Sequence, residues 1–305
     1  MARPGPGRRR SEGRLLSDEL AGWRHADDGR PVRVSVVVPA FDEADYLPAT
    51  LASLARQQCP GGFEVVVVDN GSTDGTAALA AGAGARVLEQ PLRGVCAARE
   101  LGTRAARGEI VVSADADTSY PPGWLHRLTG RFEDGVVAVA GPCRYADPPW
   151  WARVFPPLYF AALSATYALT GRVGYVTATN LAFRRAEFPG YDTTLTQGGD
   201  EVDFLRRLQR RGRVAWDAAN PVLTSSRRMD QGLAYTVLVS YGYHYALNLL
   251  VNRVAARPVL GPAPAIRRAD AVVSRRRRQR WGTGFAAVVL AAVLLSRTRT
   301  EQRRS

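Results

Sequence analysis

The chain has 305 residues, of which 46% are hydrophobic and 23% are charged, and its formal net charge is +13. This composition is typical of a globular protein rather than a disordered one, and the length is sufficient for a full hydrophobic core. The three cysteines are far apart and fit no metal or redox spacing, which favours free thiols in a reducing compartment.

The N-terminal segment, residues 1–31, is rich in Gly, Pro and Arg and is predicted to be a disordered arm. No apolar segment follows Arg8-Arg9-Arg10, so we expect no secretory signal. An α/β domain is predicted over residues 32–228. In its first half, strands are predicted at 34–38, 63–68, 85–88 and 109–113, with helices at 45–58, 73–81 and 94–106. This alternation predicts an α/β fold with a doubly wound, mostly parallel sheet.

The second half of this domain is less regular. We predict a helix over 124–132, a strand over 136–140, an apolar aromatic helix over 150–169, a strand over 175–183, an amphipathic helix over 200–211 and a strand over 214–216.

The C-terminal region has a different character. We predict an amphipathic interfacial helix over 229–256, a basic linker over 257–280, a short apolar helix over 281–296 and a basic tail over 297–305. From Arg253 to the end there are 13 arginines against Asp270 and Glu301. Such a region binds anionic lipid or nucleic acid, or is a solvated tail. Nucleic acid is disfavoured as a partner because the arginines lie outside the α/β body.

The apolar segment 282–296 has 15 uncharged residues, fewer than the ~17–25 that span a bilayer comfortably. Arginines flank both of its ends, and Trp281 lies at the boundary, where an aromatic anchor is expected. We therefore predict that the segment is associated with a membrane, either at the interface or as a single span. The alternative is a helix that packs against the domain or mediates self-association.

Acidic residues follow three of the predicted strands. Glu43 follows the first strand and Asp69 the second, while Asp115 and Asp117 follow the fourth. Ligands of doubly wound sheets bind beyond the carboxyl ends of the strands. Asp115 and Asp117 are one residue apart, so along a strand their side chains would point the same way and suit a divalent cation that carries phosphate ligands. The alternative is a pair of solvated turn aspartates.

Six motifs, in this order, resemble the family 2 glycosyltransferases of the GT-A fold. They are 36–43, 67–76, 93–102, 115–117, 180–185 and 199–207, and the similarity covers about residues 33 to 228. Asp42 departs from the family's usual Asn, and Asp200-Glu201 stands where the family more often has Glu-Asp. The Gln-x-x-Arg-Trp motif of processive synthases is absent, which disfavours a long-polymer synthase.

The resemblance implies a GT-A fold, with a Rossmann-like nucleotide-binding half and an acceptor-binding half, and an inverting glycosyltransferase of the hexosyltransferase type. It would move a sugar from a nucleotide-sugar donor, UDP- or GDP-linked, to a hydroxyl of a lipid-linked acceptor or a cell-envelope glycan precursor. The implied donor-binding residues are Pro39, Phe41, Glu43, Asp69, Arg93, Arg99 and Asp115. Asp117 and Asp115 would bind Mg²⁺ or Mn²⁺.

The resemblance also assigns the acceptor side. Asn180, Arg227 and Arg228 would bind the acceptor, and either Asp200 or Glu201 would be the general base. Glu201 is favoured because it aligns with the family's second acid. Membrane contact through the arginine-rich C-terminal region would place the enzyme at the cytoplasmic face of the cell membrane, as a peripheral or single-pass protein.

Two other functions compete with this interpretation. A nucleotidyltransferase would be expected to have a glycine-rich phosphate loop after the first strand, and Ala40-Phe41-Asp42-Glu43 is not one. A non-catalytic, membrane-associated binding protein on the same fold would be favoured by loss of Asp117 or of both acids at 200 and 201. All three acids are present.

Overall fold

A computed structural model describes Trp23, residues 32–194, residues 200–227, Met229 and Gly232. The strands are β1 (Val34–Ala40), β2 (Phe63–Asp69), β3 (Arg86–Glu89), β4 (Ile110–Ser113), β5 (Thr118–Ser119), β6 (Val136–Ala140), β7 (Cys143–Ala146), β8 (Leu181–Arg184), β9 (Arg213–Trp216) and β10 (Val222–Ser225). The α-helices are α1 (Leu47–Ala55), α2 (Thr76–Gly82), α3 (Val95–Ala105), α4 (Trp124–Thr129), α5 (Phe155–Thr170) and α6 (Asp200–Gln209). Short 3₁₀ helices occupy Trp150–Arg153, Ala178–Asn180 and Arg185–Glu187.

A seven-stranded sheet in the order β3-β2-β1-β4-β8-β6-β9 forms the centre of the domain. The first four strands in this order are mutually parallel, and β8 runs antiparallel to both of its neighbours. β1 and β2 are nearly continuous runs of buried valines, as expected for parallel strands that are covered on both faces. The sequence therefore correctly predicted these four strands and that they run parallel to one another.

Helix α3 packs unusually close to the sheet. A Cβ atom on Gly102 would lie 2.4 Å from Cγ1 of Val37 and 2.8 Å from Cγ2 of Val68. Only a residue without a side chain fits at this contact between α3 and the two central strands.

A second sheet of three strands, in the order β5-β10-β7, was not predicted from the sequence. Its strands have only two to four residues, and they pair with residues that are far away in the sequence. The predicted strand over 175–183 was wrong over most of its length, since only Leu181–Arg184 is strand and a 3₁₀ helix precedes it. The predicted helix over 150–169 begins as the 3₁₀ helix Trp150–Arg153, and α5 starts just before Pro156-Pro157, where prolines fit the first helical turn.

Several predicted segments lie outside the described residues, among them Arg228 and everything beyond Gly232. Among the residues that are described, no helix has the length and apolar character needed to cross a membrane. Trp23, in the predicted N-terminal arm, is buried and stacks on Phe63 with ring centroids 6.4 Å apart. The arm is therefore packed at this residue, in contrast to the prediction.

Candidate functional site

The connections that follow β1 and β2 are joined by hydrogen bonds between their turns. The backbone N–H of Asp42 donates to the Ser72 hydroxyl (2.9 Å), and the backbone N–H of Thr73 donates to the Asp42 carboxylate (2.7 Å). The backbone N–H of Glu43 donates to the Thr76 hydroxyl (2.8 Å). These bonds fix the backbone that carries Glu43 at the carboxyl edge of the sheet.

Asn70 attaches a third connection to the same edge. Its amide donates to the carbonyls of Gln90 (2.7 Å) and Leu92 (2.8 Å), and its carbonyl oxygen accepts from the backbone N–H of Gly94 (2.8 Å). This positions the loop between β3 and α3, which contains Arg93. The guanidinium of Arg93 lies 3.8 Å from the centre of the Phe41 ring, in a cation–π contact.

Arg227 connects two of the acids that the sequence predicted to form the site. Its guanidinium donates to both oxygens of Glu43 (2.8 and 2.6 Å) and lies 3.0 Å from Oδ2 of Asp117. It also lies over the Tyr46 ring, 4.6 Å from its centre. The Arg227 side chain is only 14% exposed, so its charge-assisted hydrogen bonds are well shielded from water.

Arg99 connects two other acids in a parallel way. Its guanidinium contacts Asp115 at 2.8 Å and Asp200 at 3.3 Å, and its side chain is 6% exposed. Asp200, at the start of α6, is 7% exposed and lies 3.7 Å from the Cys96 sulfur. Arg99 therefore links the connection after β4, which carries predicted donor and metal ligands, to the first residue of α6, which carries the candidate bases.

Burial and charge act against each other on these groups. Burial raises the pKa of Glu43, while its hydrogen bonds to Arg227 oppose the shift. Burial alone would lower the pKa of Arg99, but the carboxylates of Asp115 and Asp200 together have the larger effect. The pKa of Arg99 is therefore raised above its ordinary value. Because these two arginines are held in the charged form, they offset part of the negative charge of the four acids Glu43, Asp115, Asp117 and Asp200.

The two aspartates of the Asp115-Ala116-Asp117 motif lie in a connection and not on a strand, because β4 ends at Ser113 and β5 begins at Thr118. The argument from strand alternation was therefore wrong, and each aspartate instead contacts a different arginine. The hydroxyl of Tyr120 accepts the backbone N–H of Asp115 (3.0 Å) and holds this connection in place. No pattern in the sequence pointed to Tyr120.

The acids of this cluster are candidate ligands for a divalent cation. In the part of the chain that the structure describes, no three His, Cys, Asp or Glu side chains are grouped so as to hold a metal ion. Mg²⁺, however, is bound in many enzymes by one or two carboxylates together with substrate phosphates. Asp117, with Asp115 two residues away, fits that kind of site. Arg227 would have to share or release Asp117.

One predicted acceptor residue does not fit the geometry. Asn180 is fully buried, and its amide group is used entirely inside the protein. Its oxygen accepts from Nε1 of Trp124 (2.9 Å), and its nitrogen donates to the carbonyls of Pro142 and Asn220 (both 2.9 Å). Direct contact with an acceptor would require these bonds to break, so the position of Asn180 indicates a structural role.

The remaining predicted residues are distributed as follows. Arg227, predicted to bind the acceptor, contacts Glu43 and Asp117, which were predicted to bind the donor and the metal. Asp69 is buried at the end of β2, and its carboxylate accepts the backbone N–H of Ser72 (3.1 Å). Pro39 lies in β1.

About half of this chain is similar in sequence to a known protein family. Residues 35–188, half of the chain, match the model of glycosyl transferase family 2. The chain belongs to this family. The resemblance noted in the sequence is thereby confirmed, as is the GT-A-type α/β fold with its mostly parallel sheet.

Relatives of this family member include an uncharacterized glycosyltransferase of Mycobacterium tuberculosis, 40% identical over 124 residues, which are 40% of this chain and 55% of the relative. An undecaprenyl-phosphate 4-deoxy-4-formamido-L-arabinose transferase of Pseudomonas fluorescens is 36% identical over 116 residues, or 35% of this chain and 34% of that protein. The chain thus spans about half the length of the first of these relatives, and a third of the second.

A solved structure with the same fold is a mannosyltransferase of Pyrobaculum calidifontis in complex with GDP-Man and Mn²⁺. It superposes with a TM-score of 0.52 at 22% identity, and the match covers 83% of this chain and 72% of that one. Staphylococcus aureus TarS 1–349 in complex with UDP-GlcNAc gives a TM-score of 0.53 at 19% identity, covering 66% and 62%. At these identities the likeness establishes the fold.

Proposed function

We propose that this family 2 member is an inverting glycosyltransferase that uses Mg²⁺ or Mn²⁺ and a UDP- or GDP-linked sugar. The observation that carries the proposal is the arrangement of acids at the carboxyl edge of the sheet. Glu43, Asp115 and Asp117 are held there by two arginines, the half-buried Arg227 and the buried Arg99, and Arg99 also holds Asp200 at the start of α6. A donor site and a base-bearing helix are thus joined in one network.

The residues on the donor side are suited to bind a nucleoside diphosphate such as UDP or GDP. Asp69 and Asp115 supply acceptors for the hydroxyl and N–H groups of ribose and base. Arg93, stacked on Phe41, supplies a flat cationic surface. Asp117 would bind the cation, which when present neutralises the leaving diphosphate.

On the acceptor side, the structure supports Glu201 as the base. Asp200 is buried against Arg99, whereas Glu201 is half-buried and follows it directly in α6. Its place in the first turn of the helix favours the ionised carboxylate. Glu201 would accept the proton of the acceptor hydroxyl as that oxygen attacks the anomeric carbon and the nucleoside diphosphate leaves from the opposite face.

The acceptor that we propose is a lipid-linked molecule or a cell-envelope glycan precursor at the cytoplasmic membrane face. A relative that acts on undecaprenyl phosphate, by its name, supports this class. The arginine-rich region from Arg253 onwards supports contact with anionic lipid.

Thermal-shift measurements with UDP-, GDP- and CDP-sugars, each with and without Mn²⁺, test the proposal. A donor at a hundred times its Kd stabilises the folded state by about 2.7 kcal/mol, which is roughly 5 °C or more in Tm for a domain of this size. We expect one nucleotide class to give this shift only when Mn²⁺ is present. If no nucleotide sugar shifts the Tm, with or without Mn²⁺, the donor assignment is wrong.

A further inference from the structure

The exposed apolar side chains of this protein are concentrated on one segment. Nine large hydrophobic side chains are exposed among the described residues, and six of them belong to the 3₁₀ helix at 150–153, the residue after it and α5. They are Trp150, Val154, Phe155, Leu158, Tyr159 and Leu169. We refer to these six residues as the α5 face. Trp150 is 78% exposed and Leu169 is 87% exposed.

The exposed and the buried side chains of α5 lie on different sides of the helix. Pro156 and Phe160 are buried, and Phe160 stacks on Trp216 of β9 with ring centroids 6.3 Å apart. The indole N–H of Trp216 also donates to the Ser164 hydroxyl (2.9 Å). One side of the helix is therefore fixed to the domain, while the other presents apolar side chains to the surroundings. None of the 16 residues of α5 is charged.

The charged residues next to the α5 face along the chain are mostly arginines, with the exposed Asp147, three residues before Trp150, as the exception. From residue 148 to residue 186 the sequence contains no acid and four basic residues. Arg153 and Arg172 lie just outside the two ends of α5, and Arg184 and Arg185 follow in and after β8. Arg153 and Arg172 are exposed, as is Arg144 in β7. An exposed tryptophan at one end and arginines at both ends are the pattern of a helix that lies in the headgroup region of a membrane.

We propose that the α5 face docks on an anionic lipid bilayer, with α5 parallel to the surface and its apolar side chains in the headgroup and acyl boundary. Positive charge at both ends of an uncharged apolar surface complements anionic headgroups and does not suit a basic or purely apolar protein partner. The proposal concerns a described surface of the domain, and so it goes beyond the membrane contact expected of the arginine-rich C-terminal region. It does not depend on the identity of the donor.

The α5 face is also connected to the candidate site. The hydroxyl of Ser226, next to Arg227, donates to the carbonyl of Asp147 (3.3 Å), and Asp147 lies three residues before Trp150. Docking would therefore bring the bilayer surface near the segment that carries Arg227. A lipid-linked acceptor could then be reached without leaving the membrane, which is consistent with the proposed function.

Site-specific fluorescence on the full chain tests the proposal. The native cysteines are all buried, and burial raises the pKa of Cys143 to about 12, so a thiol dye will label an introduced exposed cysteine selectively. Leu158→Cys and Leu169→Cys place a polarity-sensitive dye on the α5 face. Leu92→Cys, at a leucine that is 58% exposed against 64% for Leu158, is the matched control.

Vesicles of phosphatidylcholine with phosphatidylglycerol are the probe, and vesicles of phosphatidylcholine alone are the lipid control. We expect a blue shift of the dye at positions 158 and 169 with the anionic vesicles and none at position 92. Replacement of both leucines by glutamate should weaken binding to anionic vesicles at least about tenfold, because each leucine side chain buried at the interface contributes on the order of a factor of ten.

Three results would overturn the proposal. The first is protein that floats with anionic vesicles while the dye at 158 and 169 stays in a polar environment, which would assign all binding to the C-terminal region. The second is a blue shift that depends on protein concentration without vesicles, which indicates a second copy as the occupant. The third is a dye that is shielded at every protein concentration without lipid, which indicates a segment of the same chain. Donor thermal shifts of the same labelled proteins report separately on the proposed enzyme function.

Discussion

Asp42 stands where the family usually has Asn, and the backbone conformation of this residue explains why either residue fits. Its φ is +49°, in the left-handed region that Asn and Asp adopt more readily than other non-glycine residues. Its carboxylate accepts the backbone N–H of Thr73, a bond that an Asn carbonyl oxygen would accept equally well. The exchange of Asn for Asp therefore preserves the turn that positions Glu43, and it does not argue against the site.

The first prediction at the residue scale concerns Asp117. Asp117→Asn retains the shape of the side chain but removes the charge that a divalent cation needs, so the Mn²⁺-dependent part of the donor thermal shift should disappear. The Tm without ligand should change by no more than a few degrees, because Arg227 keeps both hydrogen bonds to Glu43. Asp134→Asn, at an exposed aspartate, is the control and should leave the shift intact. An unchanged Mn²⁺ effect in Asp117→Asn would remove Asp117 from the metal site.

The second prediction separates the two acids at the start of α6. Glu201→Gln should lower turnover by roughly 10²–10⁴-fold with little change in stability or donor binding, because it removes the proposed general base. Asp200→Asn should lower the free energy of unfolding by roughly 3 kcal/mol, because it breaks a buried ion pair with Arg99.

Turnover at saturating donor and urea unfolding of both variants are the two measurements. The result that contradicts the assignment is the converse one, in which Asp200→Asn is stable but inactive and Glu201→Gln retains full activity. Asp203→Asn, in the same helical turn, is the control for a general loss of negative charge there.

At the scale of elements, the two longest strands were predicted from the sequence, and β3, β4 and β9, with four residues each, were also found. β1 and β2 have seven residues each and consist largely of valine, so they were identified from the sequence within two residues at either end. β5, β7 and β10 have two to four residues, and their pairing depends on contacts between residues about 80 to 105 positions apart. No local pattern encodes such pairing, which is why the small sheet was missed.

The residues of the candidate site were likewise predicted only in part. The acids that follow β1, β2 and β4 were identified because strand ends are visible in the sequence. The arginines were only partly understood, since the sequence does not show that Arg227 crosses to Glu43 over 184 positions or that Arg99 reaches Asp200 over 101. Asn180 was assigned to the acceptor from a motif, although it is a structural residue that joins Trp124 to Asn220.

The contact of α3 with the sheet gives a prediction at this scale. Gly102→Ala should destabilise the protein by about 1–3 kcal/mol, because the new methyl group would overlap Val37 and Val68 in a close-packed core. Gly82→Ala, at a helical glycine with no atom within 4 Å of the added Cβ, is the matched control and should be neutral or stabilise by up to ~1 kcal/mol. Urea unfolding of both variants makes the comparison. Equal stabilities of the two variants would mean that α3 does not approach the strands this closely.

At the scale of the whole molecule, two surfaces of different character are proposed to act on the same membrane. The α5 face is apolar, whereas the region from Arg253 onwards is strongly basic. Salt screens exposed charges, with a Debye length of about 10 Å at 0.1 M and 3 Å at 1 M, but it does not weaken apolar burial. Their contributions can therefore be separated by ionic strength.

The last prediction concerns the arginine cluster Arg275-Arg276-Arg277-Arg278. Replacement of these four residues by glutamine in the full chain should weaken binding to anionic vesicles by roughly 10²–10³-fold at low salt, because each arginine near the surface contributes ~1 kcal/mol. At 1 M salt the variant and the unmodified protein should bind equally, because the electrostatic contribution is then screened in both. Flotation with vesicles at the two salt concentrations makes the comparison.

The control for this variant has the same change in net charge, but on the body of the domain. It replaces four exposed arginines in the last turn of α6 or just after it, as Arg206→Gln, Arg210→Gln, Arg211→Gln and Arg213→Gln. It should bind vesicles as the unmodified protein does, since these arginines are not part of the proposed contact. If both four-residue variants lose the same affinity, net charge and not the C-terminal cluster attracts the protein to the membrane. Protein with both Leu158 and Leu169 replaced by glutamate that still resists 1 M salt and is released only by detergent would indicate that segment 282–296 spans the bilayer. Unmodified protein that stays free of anionic vesicles at low salt would refute the membrane assignment and leave the glycosyltransferase assignment unaffected.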